Sequence, residues 1–474
     1  MRQLGVGLVY LSELAPLLAD SDGIVSVLEV EPQIWWEKSL INGCGSYRIN
    51  SKALADIAAL PGTKLIHGVG HPIGGLIDDP LDWRTPFARC ADILNPPWVS
   101  EHLSFNRFYA HGRVCETSFL LPPRQTLAGV TVAVENLRRM QETVGVPVAF
   151  ETGVNYLQPR TDEMSDGDFF AAIANAADCG ILLDLHNLLA NERNGRQSVA
   201  EILNLLPLER VWEVHVAGGM PLNGFWLDAH SGLVDEELMQ LVEQTIPRLP
   251  NLGALVFEIL PSYVTGVGLD RIYLQLESLA VIWRGRPPVS VVVPSTLMRH
   301  SFSLQLQGRD DVRMWEQSLA AIALGWSLTM PEYQDLVKDP GGAVIEQLVR
   351  EFRSGRVARV LRYSMLAMLR HLGVQEVNQL VRTYAATELP DIFTAVEAER
   401  FAAFLQRRIE DGRLSVPFLD EVLAFERALI TASLYGTSSH VHWTVDPVAL
   451  IAALEAGHRL TELVPTPVSM VVEV

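Results

Sequence analysis

The chain is short of positive charge. Its 474 residues carry 37 Lys and Arg against 56 Asp and Glu, a formal net charge of -19. So acidic a surface repels a phosphate backbone, so no nucleic-acid partner is expected. Cysteine is scarce too. Cys44, Cys90, Cys115 and Cys179 form no CxxC pair and no zinc-ribbon spacing, and they read as ordinary reduced thiols. No uninterrupted apolar run is long enough to span a bilayer, and no charged-then-apolar leader precedes LGVGLVY, which reads as a strand. The expectation is a cytoplasmic protein without membrane contact. No glycine-rich phosphate loop follows that first strand, and there are no internal repeats or low-complexity tracts.

What remains is a globular composition, 49% hydrophobic and 20% charged. At this length two domains are expected. Short apolar segments recur at 4–10, 26–32, 64–70, 98–105, 147–153, 180–187, 210–219 and 253–260, with helical periodicity between them. Strand alternating with helix implies parallel βα units, and this number of strands implies an α/β fold of the (β/α)8 TIM-barrel kind. A doubly wound open sheet is the alternative. After the eighth strand come a last barrel helix, LESLAVIW, and a joint at Pro287 and Pro288. The spacing predicts a barrel domain over 1–285 and a smaller, mainly helical α+β domain over 290–474, with strand-like pieces in HVHWTV and PTPVSMVVEV.

Polar residues sit late in the predicted strands: Glu29, Glu31, His67, Glu101, His102, Glu151, Asp184, His186, His215 and Glu258. In a barrel these C-terminal strand ends meet at one mouth. GILLDLHN, read as a strand, puts Asp184 and His186 on one face, and a buried carboxylate there needs a partner. A lone buried histidine is usually a hydrogen-bonded core residue. Four at corresponding strand positions, each near a carboxylate, read instead as metal ligands. Asp228 and His230, in WLDAHSG just beyond the seventh strand, join them. His71 reads as a loop residue, and Glu135 with Asn136 as a solvated or helix-packing pair. Glu29 and Glu31 read as lining the site rather than ligating. Imidazole and carboxylate without sulfur suit iron, manganese or zinc, and this many ligands suits two or three ions bridged by carboxylates.

In their order, His67, SEHL, VAFET, ILLDLHN, VHVAGG, LDAHS and Glu258 resemble the multinuclear non-heme iron-dependent oxidative enzymes. That family was long known as a domain of unknown function and includes the oxidases of methanobactin biosynthesis. The resemblance implies a xylose-isomerase-like barrel, two or three ions cycling between Fe2+ and Fe3+, and dioxygen as co-substrate. It implies a ribosomally made precursor peptide as substrate, modified at a residue that is often cysteine, and commonly a partner protein that captures the peptide. His67, His102, Glu151, His215, Asp228 and His230 fall where the family places metal ligands, with Asp184 and Glu258 alongside. Asp184, His186 and Asp228 are the expected catalytic residues. Two departures stand out. Many members read E-N where this chain has Glu151-Thr152, and D-V-N-N where it has Asp184-Leu185-His186-Asn187, so an imidazole replaces a ligating amide. VPFLDEVLAFERALITASLYG resembles the partner proteins, which implies a fusion that needs no separate partner. A divalent-metal isomerase, aldolase or hydrolase on the same barrel is the rival enzyme reading. A non-catalytic metal- or peptide-binding scaffold is the rival outside enzymes.

Overall fold

A computed structural model describes residues 1–20, 23–39, 45–287, 308–328, 330–458, 460 and 463–473. Cys44, Pro288 and His300 lie outside the described residues. Cys90, Cys115 and Cys179 are free and buried. Among the described residues no helix is long and apolar enough to cross a membrane.

Each expected barrel strand forms. They are β1 (Gly5–Val9), β2 (Val25–Val30), β3 (Thr63–Gly68), β4 (Val99–His102), β5 (Val148–Glu151), β6 (Gly180–Asp184), β7 (Val211–Ala217) and β8 (Ala254–Glu258). They close into a parallel barrel in sequence order, β1 pairing with both β2 and β8. Alternation does the sorting. Residues of one parity, such as Val6, Leu28, Ile66 and Val99, pack outward against the helices. Residues of the other parity fill the barrel: Val9, Val27, Leu65, Trp98, Ala254 and Val256 form an apolar floor. Further along the strands that inward parity turns polar, at Glu29, His67, Ser100, Glu151, Asp184 and His215. The mouth is therefore polar by register and not by chance. In that register His67 pairs with Ser100, His102 with Glu151, and Asp184 with His215.

One boundary differs from expectation, and it moves a site residue. GILLDLHN is not one strand: β6 ends at Asp184, and a helix runs over Leu185–Arg193. Asp184 switches the conformation by capping that helix, its Oδ1 accepting the Asn187 N–H at 2.8 Å. Asp184 and His186 therefore do not share a strand face, and His186 lies in the first turn of the helix. Apolar periodicity could not separate the two because the helix is buried throughout its first two turns.

The helix Leu127–Val144 carries Glu135 and Asn136 as packing residues. Asn136 Nδ2 donates to the carbonyls of Ile73 at 2.8 Å and Gly75 at 2.7 Å, and Glu135 pairs with Arg309.

The C-terminal region is mainly helical with one antiparallel strand pair, β9 (Ser439–Val445) and β10 (Pro465–Val472), at the two strand-like pieces. Its first helices, Arg309–Ala323 and Pro340–Val360, share an apolar core with barrel loops, where Trp315 and Leu319 meet Phe105, Leu121, Tyr156 and Leu227. From Val357 onward a core of its own forms around Phe401, Leu423 and Trp443. The loop at 391–393 ties that core to the barrel hairpins. Lys38 Nζ pairs with Asp391 at 3.4 Å, the Ile392 N–H donates to Glu116 at 3.1 Å, and Phe393 stacks on Tyr47.

Candidate metal centre

The barrel mouth gathers side chains from every barrel strand except β1. Three sets of ligand atoms each lie within 4.8 Å of one another: His67, His102 and Glu151; Glu151, Asp184 and His215; and Glu29, His215 and Glu258. Glu151 Oε2 lies 3.2 Å from His67 Nε2 and also touches His102 Nδ1. His215 stands between two carboxylates, Nε2 at 3.0 Å from Glu29 and Nδ1 at 3.0 Å from Glu258. Glu258 continues the chain of contacts outward. Its Oε2 lies 3.2 Å from His230 Nε2, which is 2.8 Å from Asp228 Oδ1, and that oxygen is 3.2 Å from His186 Nδ1. His186, Asp228 and His230 thus join by pairwise contacts and belong to none of the three tight sets.

The site is buried but has a wet side. The side chains of His67, Glu151 and His215 are at most 3% exposed, whereas His102 and His230 are 21% and 26% exposed. His230 also holds a left-handed backbone, φ 43°, a conformation costly for a residue with a Cβ and frequent at functional sites.

Charge inside the mouth is balanced by protons. Burial alone would depress the His67 imidazolium, but the Glu151 carboxylate against it raises it to about 10. His215 is held well above its ordinary value by Glu29 and Glu258 against the same burial, and His230 by Asp228 and Glu258. Glu258 runs the other way: His215 and His230 overcome burial and hold it at about 2. Asp184 is pushed well up by burial, then by Glu151, Asp228 and Glu258. Cations bound here would replace those protons, so uptake of metal would release them.

The donor set fits metal ions on independent grounds. Glu29 Oε1 and Oε2, Glu151 Oε2, Asp184 Oδ2, both ring nitrogens of His186 and of His215, and Asp228 Oδ1 are all buried without a hydrogen-bond partner. So many buried orphans in one place are rare in a finished fold unless something else satisfies them. The buried His, Glu and Asp groups of the mouth can hold metal ions. The structure also answers one departure. At the position after Glu151, Thr152 Oγ1 accepts the Asp184 N–H at 3.0 Å and so anchors the end of β6.

His71 is a loop residue, as expected. Its ring stacks on Trp83, Nε2 lies 3.0 Å from Asp79, and burial holds it down at about 4. Glu29 was set aside as lining, yet it stands against His215. Period-2 alternation from His67 and Glu151 could have flagged it, because its position on β2 has the same inward parity. Glu213 is a further polar residue of the barrel interior, beyond those the strand ends single out. It is fully buried, takes the Trp98 N–H at 2.9 Å, and lies 3.9 Å from His215. Its signal was the E-x-H spacing on β7.

The fold is a closed parallel barrel whose mouth gathers buried His, Glu and Asp groups that could hold metal ions. A family model described as "RiPP precursor modification enzyme MbnB/TglH/ChrH" matches residues 5–259, more than half of the chain. The chain belongs to that family of enzymes, which modify ribosomally made precursor peptides. It is 29% identical over 240 residues to a UPF0276 protein of Anaeromyxobacter sp. (strain Fw109-5), covering 48% of this chain and 80% of that protein. A UPF0276 protein of Chromobacterium violaceum is 30% identical over 184 residues, covering 39% of this chain and 65% of that protein. Among solved structures, a xylose isomerase domain protein from Alicyclobacillus acidocaldarius superposes with a TM-score of 0.37 at 15% identity, over 60% of this chain and 100% of that one.

Proposed function

We propose that the chain is an iron- and dioxygen-dependent oxidase that modifies a residue, cysteine, of a ribosomally made precursor peptide. The observation that carries this reading is the convergence of orphaned buried imidazole and carboxylate atoms at the mouth of a barrel of this family. His67, His102, Glu151, Asp184, His186, His215, Asp228, His230 and Glu258 would hold two or three ions. Glu151 belongs to two of the tight sets, and Glu258 touches both His215 and His230, which supports a role for each carboxylate in holding the ions. Bound iron would supply one-electron redox chemistry with dioxygen and a Lewis-acid position for a thiolate.

The chain's own residues do the rest. Burial of His67, Glu151 and His215 keeps water from the inner ligands, and the half-open His102 and His230 side admits substrate. Asp184, with Oδ1 spent on the helix cap, keeps Oδ2 free to hold a proton beside Glu151 and His215. The region 290–474, proposed as a second domain beside the barrel domain 1–285, would capture the leader part of the peptide. From Val357 onward it has its own core, and tethering would raise the peptide's effective concentration at the mouth.

The test is iron content, visible absorption and oxygen uptake of anaerobically purified protein, with and without a short peptide encoded beside its gene. Bound iron with peptide-dependent oxygen uptake is expected. A colourless zinc protein that consumes no oxygen would refute the reading.

A further inference from the structure

Like His215, His186 carries two orphaned ring nitrogens, but those of His215 both face carboxylates while those of His186 face different surroundings. His186 is placed by a helix rather than by a strand. Nδ1 is 3.2 Å from Asp228 Oδ1, yet neither atom makes a hydrogen bond, so the contact is close without being aligned as donor to acceptor. Both atoms are buried side by side and unspent, so both are available to a third group between them. Nε2 faces a wall. A Cβ built on Gly219 would sit 2.5 Å from it and 2.2 Å from Trp226 Nε1, so backbone and indole close off that nitrogen.

The wall is built to stay. The Ser231 N–H donates to Gly218 O at 2.7 Å, and Ser231 Oγ donates to Gly219 O at 2.9 Å. A Cβ on Gly218 would meet the Gly232 backbone at 2.6 Å, so this turn admits glycine only. Trp226 is gripped by Asn194 through two bonds, its N–H to Oδ1 at 2.8 Å and its carbonyl from Nδ2 at 2.9 Å. The Arg193 guanidinium covers its ring at 4.2 Å. Trp226 Nε1 has no partner and is itself a donor, so it offers Nε2 nothing to ligate through.

We infer that His186 binds its ion through Nδ1, on the Asp228 side, and that Trp226 with the Gly218–Gly219 turn is the positioning device that imposes this choice. The inference rests on the reading of the mouth as a metal centre. The opposed arrangement is the commoner one, with Nε2 on the metal and Nδ1–H donated to the carboxylate.

Side-chain length separates the two. The amide oxygen of Asn lies as many bonds from Cα as Nδ1 does, and that of Gln as many as Nε2 does. The experiment loads metal-free protein anaerobically with ferrous ion alone, removes the excess, and counts bound iron by elemental analysis. His186→Asn, His186→Gln and His186→Leu are compared, with thermal unfolding of each metal-free variant as the folding control. His186→Asn should keep the wild-type iron count, while His186→Gln and His186→Leu each lose one equivalent. A second variant probes the wall: Gly219→Ala, which drives a methyl into Nε2, should lower the iron count like His186→Leu. A Gln variant that matches or exceeds the Asn variant overturns the inference, while wild type that takes up no iron overturns the metal centre with it.

Discussion

Two places in this molecule bury charge, and they do so in opposite ways. In the C-terminal region, Arg353 and Glu397 are 2% and 0% exposed, and every polar atom of the pair is spent. Arg353 Nε reaches Glu397 at 2.9 Å, and its outer nitrogens donate to the carbonyls of Ala385 and Glu388. The Tyr384 hydroxyl and the Asp391 N–H take the remaining positions on the carboxylate. At the barrel mouth as much charge is buried, but its atoms point at one another without closing. A satisfied buried pair fixes the structure around it, here the loop 385–391 that reaches the barrel. An unsatisfied cluster costs free energy to keep and is explained by what it binds. Burial alone does not identify a site; the number of orphaned atoms does.

The sharpest way to break this contrast is at the mouth. His102→Ala and Glu151→Ala should each remove at least one equivalent of iron while the metal-free protein melts no lower than wild type. Both residues lie at the mouth, the end of a barrel that serves function, while the opposite end serves stability. Elemental analysis beside calorimetry checks it, and full iron content in both variants would mean that the set is structural after all.

The reverse outcome is expected in the C-terminal region. Glu397→Ala leaves a buried guanidinium uncompensated and should cost about 3–5 kcal/mol by denaturant unfolding, with the iron count unchanged. Arg353→Met combined with Glu397→Leu, which removes both charges, should recover most of that loss. If the double variant is as unstable as the single one, the network contributes through its backbone contacts to residues 385–391 rather than by charge balance.

Much of the mouth was legible in the sequence because a barrel makes it so. Each strand offers inward residues near its C-terminal end to one place, so His67, His102, Glu151, His215 and Glu258 could be assembled from spacing alone. Two kinds of residue escaped. His186 was placed on the wrong element because a strand and a buried helix share an unbroken apolar pattern, and only the capping role of Asp184 separates them. Whereas Glu213 shares the inward parity of His215 on β7, Trp226 escaped because its importance lies in what it faces, and hairpin contacts leave no local periodicity. The Arg353 network was invisible for the same reason: Arg353, Tyr384 and Glu397 meet only when three helices pack.

Between the two extremes stands Glu316, and it gives the finest test. It is 1% exposed, with Oε1 taking the Leu76 N–H and Oε2 left orphaned, and among the described residues no cation makes an ion pair with it, Arg313 acting only from a distance. Burial raises its carboxyl to about 8, the Leu76 N–H opposing this only in part. The sign follows from the raised value. An unfolded chain ionises this group near 4.5, while the folded protein keeps it protonated up to about 8, so folding takes up a proton throughout that window. Its contribution is fully present below the lower value and is lost as the pH rises toward the upper one, by at most ~1.4 kcal/mol per pH unit. Glu316→Gln cannot ionise and should remove this slope, leaving stability at pH 5 close to wild type and raising it at pH 8. Paired urea titrations of wild type and variant at pH 5, 6.5 and 8 read the difference directly. Parallel stability curves for the two proteins would show that the Glu316 carboxyl ionises normally and that the orphaned Oε2 is served by water, moving this residue to the closed side of the comparison.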